Sequence, residues 1–217
     1  MLNYYLRFVC ATRGENRDTA ILRNYESTTK VREVDCMIWE AARATSAAST
    51  FFDSIKIGQY GEEYLDGGTG YNNPVEKVVE EARSLWKDAD NNIACIVSIG
   101  TGQQSSQEFG RNLKNVLRTL TDIATETEKT AEKFEWMYKD VFISEIPASD
   151  SEQLPRYFRF NVPNGLRDIG LDESKKKNEI AAMTKTYLGT KSTSKAATSC
   201  AHIMGQWKNE HFQIVPG

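Results

Sequence analysis

The stretch Glu-Glu-Tyr-Leu-Asp-Gly-Gly-Thr-Gly-Tyr-Asn-Asn-Pro, residues 62–74, constrains the fold more than any other part of the chain. The apolar pair Tyr64 and Leu65 runs into Asp66 and two glycines, the pattern of a strand that ends in a tight turn with one carboxylate at its tip. Gly67 and Gly68 can take backbone angles closed to other residues, and Gly70 with Asn72 and Asn73 extends the turn. Pro74 suits the first position of a helix, whose periodic pattern runs from Val75 to Trp86. Asn92 to Ile99 then forms an apolar run of the kind buried on both faces in a parallel sheet, ending in Gly100-Thr101-Gly102. Strand, Asp turn, helix, strand and Gly turn make a βαβ unit with a right-handed crossover, which predicts an α/β fold. Two readings of Asp66 stand side by side. The carboxyl edge of such a sheet collects ligands and catalytic side chains, whereas an Asp before Gly-Gly also serves as a turn former bonded to its own backbone.

Gly100-Thr101-Gly102 has two of the three glycines of a dinucleotide fingerprint, and no Lys-Ser/Thr pair follows it, so it reads as a structural turn. Upstream, Tyr4 to Thr12 is strand-like, Arg13 to Asp18 is a polar turn around Gly14, and Thr19 to Tyr25 is a second strand, together a hairpin. Asp35 is the expected N-cap of a helix carrying Ile38, Trp39, Ala41, Ala42 and Thr45, whose small residues suit close packing. Phe51 and Phe52 follow, as buried core or as the wall of an acyl pocket.

Downstream, Phe109 to Tyr138 predicts a long amphipathic helix, with Leu113, Val116, Leu117, Leu120 and Ile123 leading to Phe134, Trp136 and Met137. It suits packing on a sheet or, through its aromatic end, contact with lipid. Val141 to Ile146 and Tyr157 to Val162 are strands, with Ala148 to Pro155 polar between them; Arg159 should face solvent or a carboxylate. A helix is expected from Leu171 to Leu188, with Asp172 and Glu173 at its positive end. Thr190 to Lys195 reads as a polar linker or a helix cap before a final helix with Ile203, Met204 and Trp207.

A chain of 217 residues, 40% hydrophobic, is long enough for one domain with a real core, or for a large part of a bigger one. Its net charge of −3 argues against a broad grip on nucleic acid. No apolar run reaches the ~20 residues that span a bilayer, and the first residues lack the pattern of a secretory signal. Cys10, Cys36, Cys95 and Cys200 are far apart and form no Cys-x-x-Cys pair, so reduced core thiols in a cytoplasmic chain are expected. His202 and His211 lack a third ligand at useful spacing, and no metal or cofactor is expected.

Three segments in this order, Ile-Trp-Glu-Ala-Ala-Arg-Ala-Thr-Ser-Ala-Ala from Ile38, Leu-Asp-Gly-Gly from Leu65 with Tyr-Asn-Asn-Pro from Tyr71, and Val-Ser-Ile-Gly-Thr-Gly from Val97, resemble the patatin-like phospholipases in a fungal style. Tyr157 to Asn161 and Leu171 to Glu173 are similar to that family's distal region, so the resemblance runs from about Tyr4 to about Leu188. It implies a three-layer α/β/α sheet and a serine lipid acyl hydrolase with a Ser-Asp dyad, acting on phospholipid or acylglycerol, without a cofactor and peripheral to membranes. Asp66 matches the proton acceptor of the Asp-Gly-Gly motif, with Gly67 and Gly68 completing it. No Gly-x-Ser-x-Gly occurs in the sequence, and Ser98, Ser46, Ser105 and Ser106 lack an elbow context, so the nucleophile is expected upstream. The expectation is therefore the distal part of such a domain over residues 1–189, incomplete at its N-terminal side, with residues 190–217 a linker and short helix. A catalytically dead fragment, acting as an interaction or lipid-binding module of a larger protein, is the alternative. The Tyr4 to Thr12 strand is the expected edge for self-association.

Overall fold

The computed structural model describes residues 6–26, 34–48, 51–103, 127–141, 143–147, 153–164, 166, 169 and 173–211. Among them the chain forms two compact units. The first holds the described residues up to Lys87 together with residues 127–129, and the second holds residues 88–103 and those from 130 onward.

The first unit is built on an antiparallel sheet in the order β2-β1-β4-β3. β1 (Phe8–Arg13) and β2 (Thr19–Arg23) form the expected hairpin, with Val9 opposite Leu22 and Ala11 opposite Ala20. Its turn closes through Arg13 N–H on the Asp18 carbonyl at 2.8 Å, with Arg17 at φ 57°. β3 (Ile55–Ile57) and β4 (Glu62–Asp66) form a second hairpin, and β4 also pairs with β1. β1 is thus flanked on both sides, and β2 and β3 hold the sheet's edges. The strand expected as an open edge is a central one.

Helix α1 (Ile38–Thr45) lies against β1, β3 and β4. Ala44 and Ala47 are fully buried, and Ala11, Ala20, Leu22, Ile57 and Tyr64 complete the core around them, so the small residues serve close packing. The helix begins at Met37, whose N–H donates to the Glu40 carboxylate at 2.7 Å; Asp35, the expected cap, lies two residues upstream. The apolar residues at its start face outward, with Ile38 89% and Trp39 64% exposed. Phe52 is 57% exposed with the Arg43 guanidinium 5.4 Å above its ring, so it is not a core residue. After β4 come α2 (Gly68–Tyr71) and α3 (Val75–Leu85), with Pro74 as the N-cap of α3, one residue before the predicted place.

The second unit begins with α4 (Ala89–Asn92) and β5 (Ile96–Ile99). β5 pairs in parallel with β8 (Tyr157–Phe160), and β6 (Ile143–Pro147) pairs antiparallel with β7 (Gln153–Pro155). The expected βαβ unit is therefore corrected: β4 has antiparallel partners, and β5 takes its parallel partner from 61 residues downstream. The apolar run of β5 is also buried on one side, since Ile96 and Ser98 are buried while Val97 and Ile99 are exposed. Residues 127–138 are helical (α5), and Phe134 is fully buried with its ring 4.8 Å from that of Tyr157. The first half of the predicted long helix, from Phe109 to Ile123, lies outside the described residues, as do Leu171 and Asp172.

A 3-10 turn, Ser174–Lys176, leads into α6 (Lys177–Leu188). α7 (Lys191–His211) follows at once, so of the linker and cap readings of this polar stretch the structure has the second, with residues 191–195 forming the first turn of a long helix. Thr190 sits ahead of it with its Oγ1 donating to Thr193 Oγ1 at 2.9 Å, and Ser194 N–H returns to the Thr190 carbonyl. Cys200 and Ile203 of α7 are buried with Phe158 of β8 in this unit's core.

Candidate active site

Asp66 is the last residue of β4, opposite Ala11 of β1. Its backbone is held from two sides: its N–H donates to the Ala47 carbonyl at 3.1 Å, and its carbonyl accepts from Thr12 Oγ1 at 2.9 Å. Thr45, at the end of α1, donates its hydroxyl to the Cys10 carbonyl at 2.7 Å and ties that helix to the same stretch of β1. The carboxylate is also placed. Its Oδ1 accepts the Gly68 N–H at 2.5 Å, and among the described residues no hydrogen bond is made to Oδ2.

Gly67 allows this geometry by its size. Its angles, φ −68° and ψ −22°, are open to any residue, so the expectation of a special glycine conformation is not met. A Cβ there would lie 2.2 Å from the Cys10 carbonyl oxygen and 2.7 Å from its carbon. At Gly68 the first atom met would be Asp66 Oδ1, at 2.9 Å. The turn is anchored at its far end by Asn72 and Asn73, whose Nδ2 atoms donate to Thr127 Oγ1 and the Thr127 carbonyl at 2.9 and 3.3 Å.

In the first unit, the hydroxyls and the thiol of β1 and α1 that border this turn can be followed one by one. The Thr12 and Thr45 hydroxyls are engaged as donors to backbone carbonyls. Burial pushes the Cys10 thiol up to about 11, against the opposing pull of Lys77 and Arg23, so it stays protonated at neutral pH. Ser46 follows α1 directly, and Ser105 and Ser106 lie outside the described residues. Ser98 belongs to the second unit, buried inside β5 with its Oγ accepting from Arg159 Nη1 at 3.0 Å. Chemically the arrangement offers one positioned proton acceptor.

Gly100 and Gly102 serve the second unit's strand pair. Gly100 N–H continues the ladder to the Phe160 carbonyl at 2.8 Å, and the Asn161 side chain accepts from Gly102 N–H at 2.7 Å. A Cβ on Gly100 would lie 2.3 Å from Asn161 Oδ1, and Gly102 sits at φ 105°, so both glycines have structural reasons to be there. Arg159, expected to meet solvent or a carboxylate, also donates to the Ser98 hydroxyl. Thr12, Thr45 and Ala47 carry no sequence signal for their part in holding Asp66. That part depends on the register of β1 against β4, which a local pattern does not encode.

Among the described residues no three His, Cys, Asp or Glu side chains gather as a metal site, and no helix is long and apolar enough to cross a membrane. No family model matches the chain. The chain is similar to the calcium-independent phospholipase A2-gamma of Oryctolagus cuniculus, 33% identical over 142 residues, which covers 64% of this chain and 16% of that protein. Similarity to the Mus musculus protein of the same name is 31% over 172 residues, covering 75% of this chain and 20% of the relative. Phospholipase A I of Arabidopsis thaliana is 30% identical over 139 residues, covering 63% of this chain and 10% of that protein. The chain thus spans a fifth or less of the length of these relatives, all of which are named as phospholipases.

Proposed function

We propose that the chain is the distal part of a patatin-like lipid acyl hydrolase, acting on phospholipid or acylglycerol esters, with Asp66 as the proton acceptor of a Ser-Asp dyad. The observation that carries this is the carboxylate fixed at the end of β4 by Gly68 N–H and by backbone bonds to Ala47 and Thr12, in a chain similar to phospholipases. In the reaction, Asp66 takes the proton of a serine hydroxyl as the oxygen attacks the acyl carbonyl. Backbone N–H groups hold the tetrahedral oxyanion, the proton passes to the leaving alcohol, and water then releases the fatty acid from the acyl enzyme. The sequence holds no Gly-x-Ser-x-Gly, so this reading assigns the nucleophile to a segment of the parent protein outside these 217 residues. It also assigns the protein to the cytoplasmic side, in peripheral contact with its lipid.

A second reading takes support from the same hydrogen bond. The Asp66 to Gly68 link is what a plain turn former makes, and it suits a non-catalytic lipid-binding or interaction module. Fatty-acid release from phosphatidylcholine vesicles separates the two, measured for the 217-residue chain and for the longest product of its gene, each beside Asp66→Asn. The hydrolase reading expects activity in the longer product that falls about 10²–10⁴-fold on substitution, the worth of a general base. Undiminished activity in Asp66→Asn would remove Asp66 from the chemistry. No ester hydrolysis by the longer product would leave the non-catalytic reading.

A further inference from the structure

Cys95 and Cys200 are 105 residues apart in sequence, yet their sulfurs lie 3.6 Å from each other in the second unit. Both are unpaired thiols in this structure. A disulfide needs about 2.0 Å between sulfurs, so closure asks for a movement of about 1.6 Å. Cys95 occupies the irregular connection between α4 and β5, where a side chain and its backbone can adjust; Cys200 is held in the middle of α7. Phe158, Phe160, Ala196 and Ile203 pack around the pair. Cys95 is half-buried and Cys200 buried within this apolar cluster.

We propose that Cys95 and Cys200 form a dithiol that a hydroperoxide converts to a disulfide, fastening α7 to the head of β5. The step balances without a metal. Cys95, the more exposed of the two, attacks one peroxide oxygen as its thiolate; the O–O bond breaks, and the other oxygen leaves as alcohol or water after taking a proton. The Cys95 sulfenic acid is then attacked by the Cys200 sulfur, the S–O bond breaks, and the hydroxyl leaves as water. Two electrons pass from the sulfurs to the peroxide, and a dithiol reductant reverses the change. Burial and the neighbouring thiol push Cys95 up to about 12, which makes the first step slow at neutral pH. The inference goes beyond the hydrolase reading and does not depend on it.

The test treats the intact chain with hydrogen peroxide, blocks remaining thiols with N-ethylmaleimide under denaturing conditions, and maps the peptides by mass spectrometry. Two of the four thiols should be lost together, with a single cross-linked peptide joining Cys95 to Cys200, while Cys10 and Cys36 stay alkylated. Dithiothreitol should restore both thiols, and Cys95→Ser should leave Cys200 unpaired. The Cys200 sulfur also lies 3.8 Å from the Met204 sulfur. Oxidation confined to Met204, Cys95 driven to sulfinic acid without a cross-link, or pairing spread over Cys10 and Cys36 would each overturn the proposal. Full alkylation of all four thiols after exposure would do the same.

Discussion

At the scale of single residues, Gly67 governs the Asp66 turn because of the space it leaves. The Cys10 carbonyl that a Cβ would strike belongs to a central strand of the sheet, and a backbone group cannot swing aside as a side-chain tip can. Gly67→Ala should therefore push α2 away from β1 and lower stability by about 1–3 kcal/mol, as overpacking does. Gly68→Ala makes a useful contrast, since its first contact is the movable Asp66 carboxylate and alanine favours helix. Urea unfolding followed by circular dichroism should show a clearly lower midpoint for Gly67→Ala and a smaller change for Gly68→Ala; equal midpoints would contradict the close approach. The sequence made the need for glycine plain and suggested the wrong cause. A pair of glycines after Asp reads as conformational freedom, whereas the contact that excludes a side chain comes from a strand more than fifty residues away. Asp66 itself was legible at its strand end, because Leu-Asp-Gly-Gly encodes a local event.

At the scale of elements, β2 and α3 are joined by a buried ion pair. Arg23 Nε and Nη2 donate to the two Glu81 oxygens at 2.5 and 2.6 Å, and the Tyr25 hydroxyl donates to Oε2 at 2.8 Å. Both charged side chains are about nine-tenths buried, so removing either one strands the other away from water. Arg23→Met or Glu81→Met should each cost about 3–5 kcal/mol, and the double replacement should cost less than their sum. A denaturation cycle over the four proteins checks this, and strict additivity would mean that the pair is not coupled. The Arg23 hydrogen bond holds the Glu81 carboxyl below its ordinary value of 4.5, despite the upward push of burial. Its contribution is therefore complete above about pH 4.5 and is lost as pH falls through the folded value. Glu81→Gln should flatten the loss of stability between pH 5 and 3 when unfolding is measured across that range. Elements of this kind were legible wherever a period of 2 or 3.6 was written locally, as in β1, β2, α1 and α3. Their partners were not, since strand pairing and the bond from β2 to α3 join residues that no window of sequence contains together.

At the scale of the whole molecule, each of the two units has its own core, and the surface between strands and solvent differs from the one the sequence suggested. An apolar run such as that of β5 was expected to be covered on both faces, with the open edge at the first strand. In the structure β1 is paired on both sides, while β5 turns Val97, 41% exposed, and Ile99, 78% exposed, to one face. Two large β-branched side chains at positions i and i+2 make an apolar strip with the flatness that sheets use to pair or stack. Water leaves such a strip favourably, at roughly 25 cal/mol for each Å² covered, and a second copy of the chain offers a matching one. Self-association should therefore run through this face of the second unit. Sedimentation velocity across a micromolar dilution series should show a concentration-dependent shift for the natural chain and a much smaller one for Ile99→Lys, which sets an ammonium in the strip. The substitution falls on an exposed position, so the urea midpoint should correspond to a change within about 0.5 kcal/mol. The same sedimentation profile for both proteins at matched stability would move the contact away from β5.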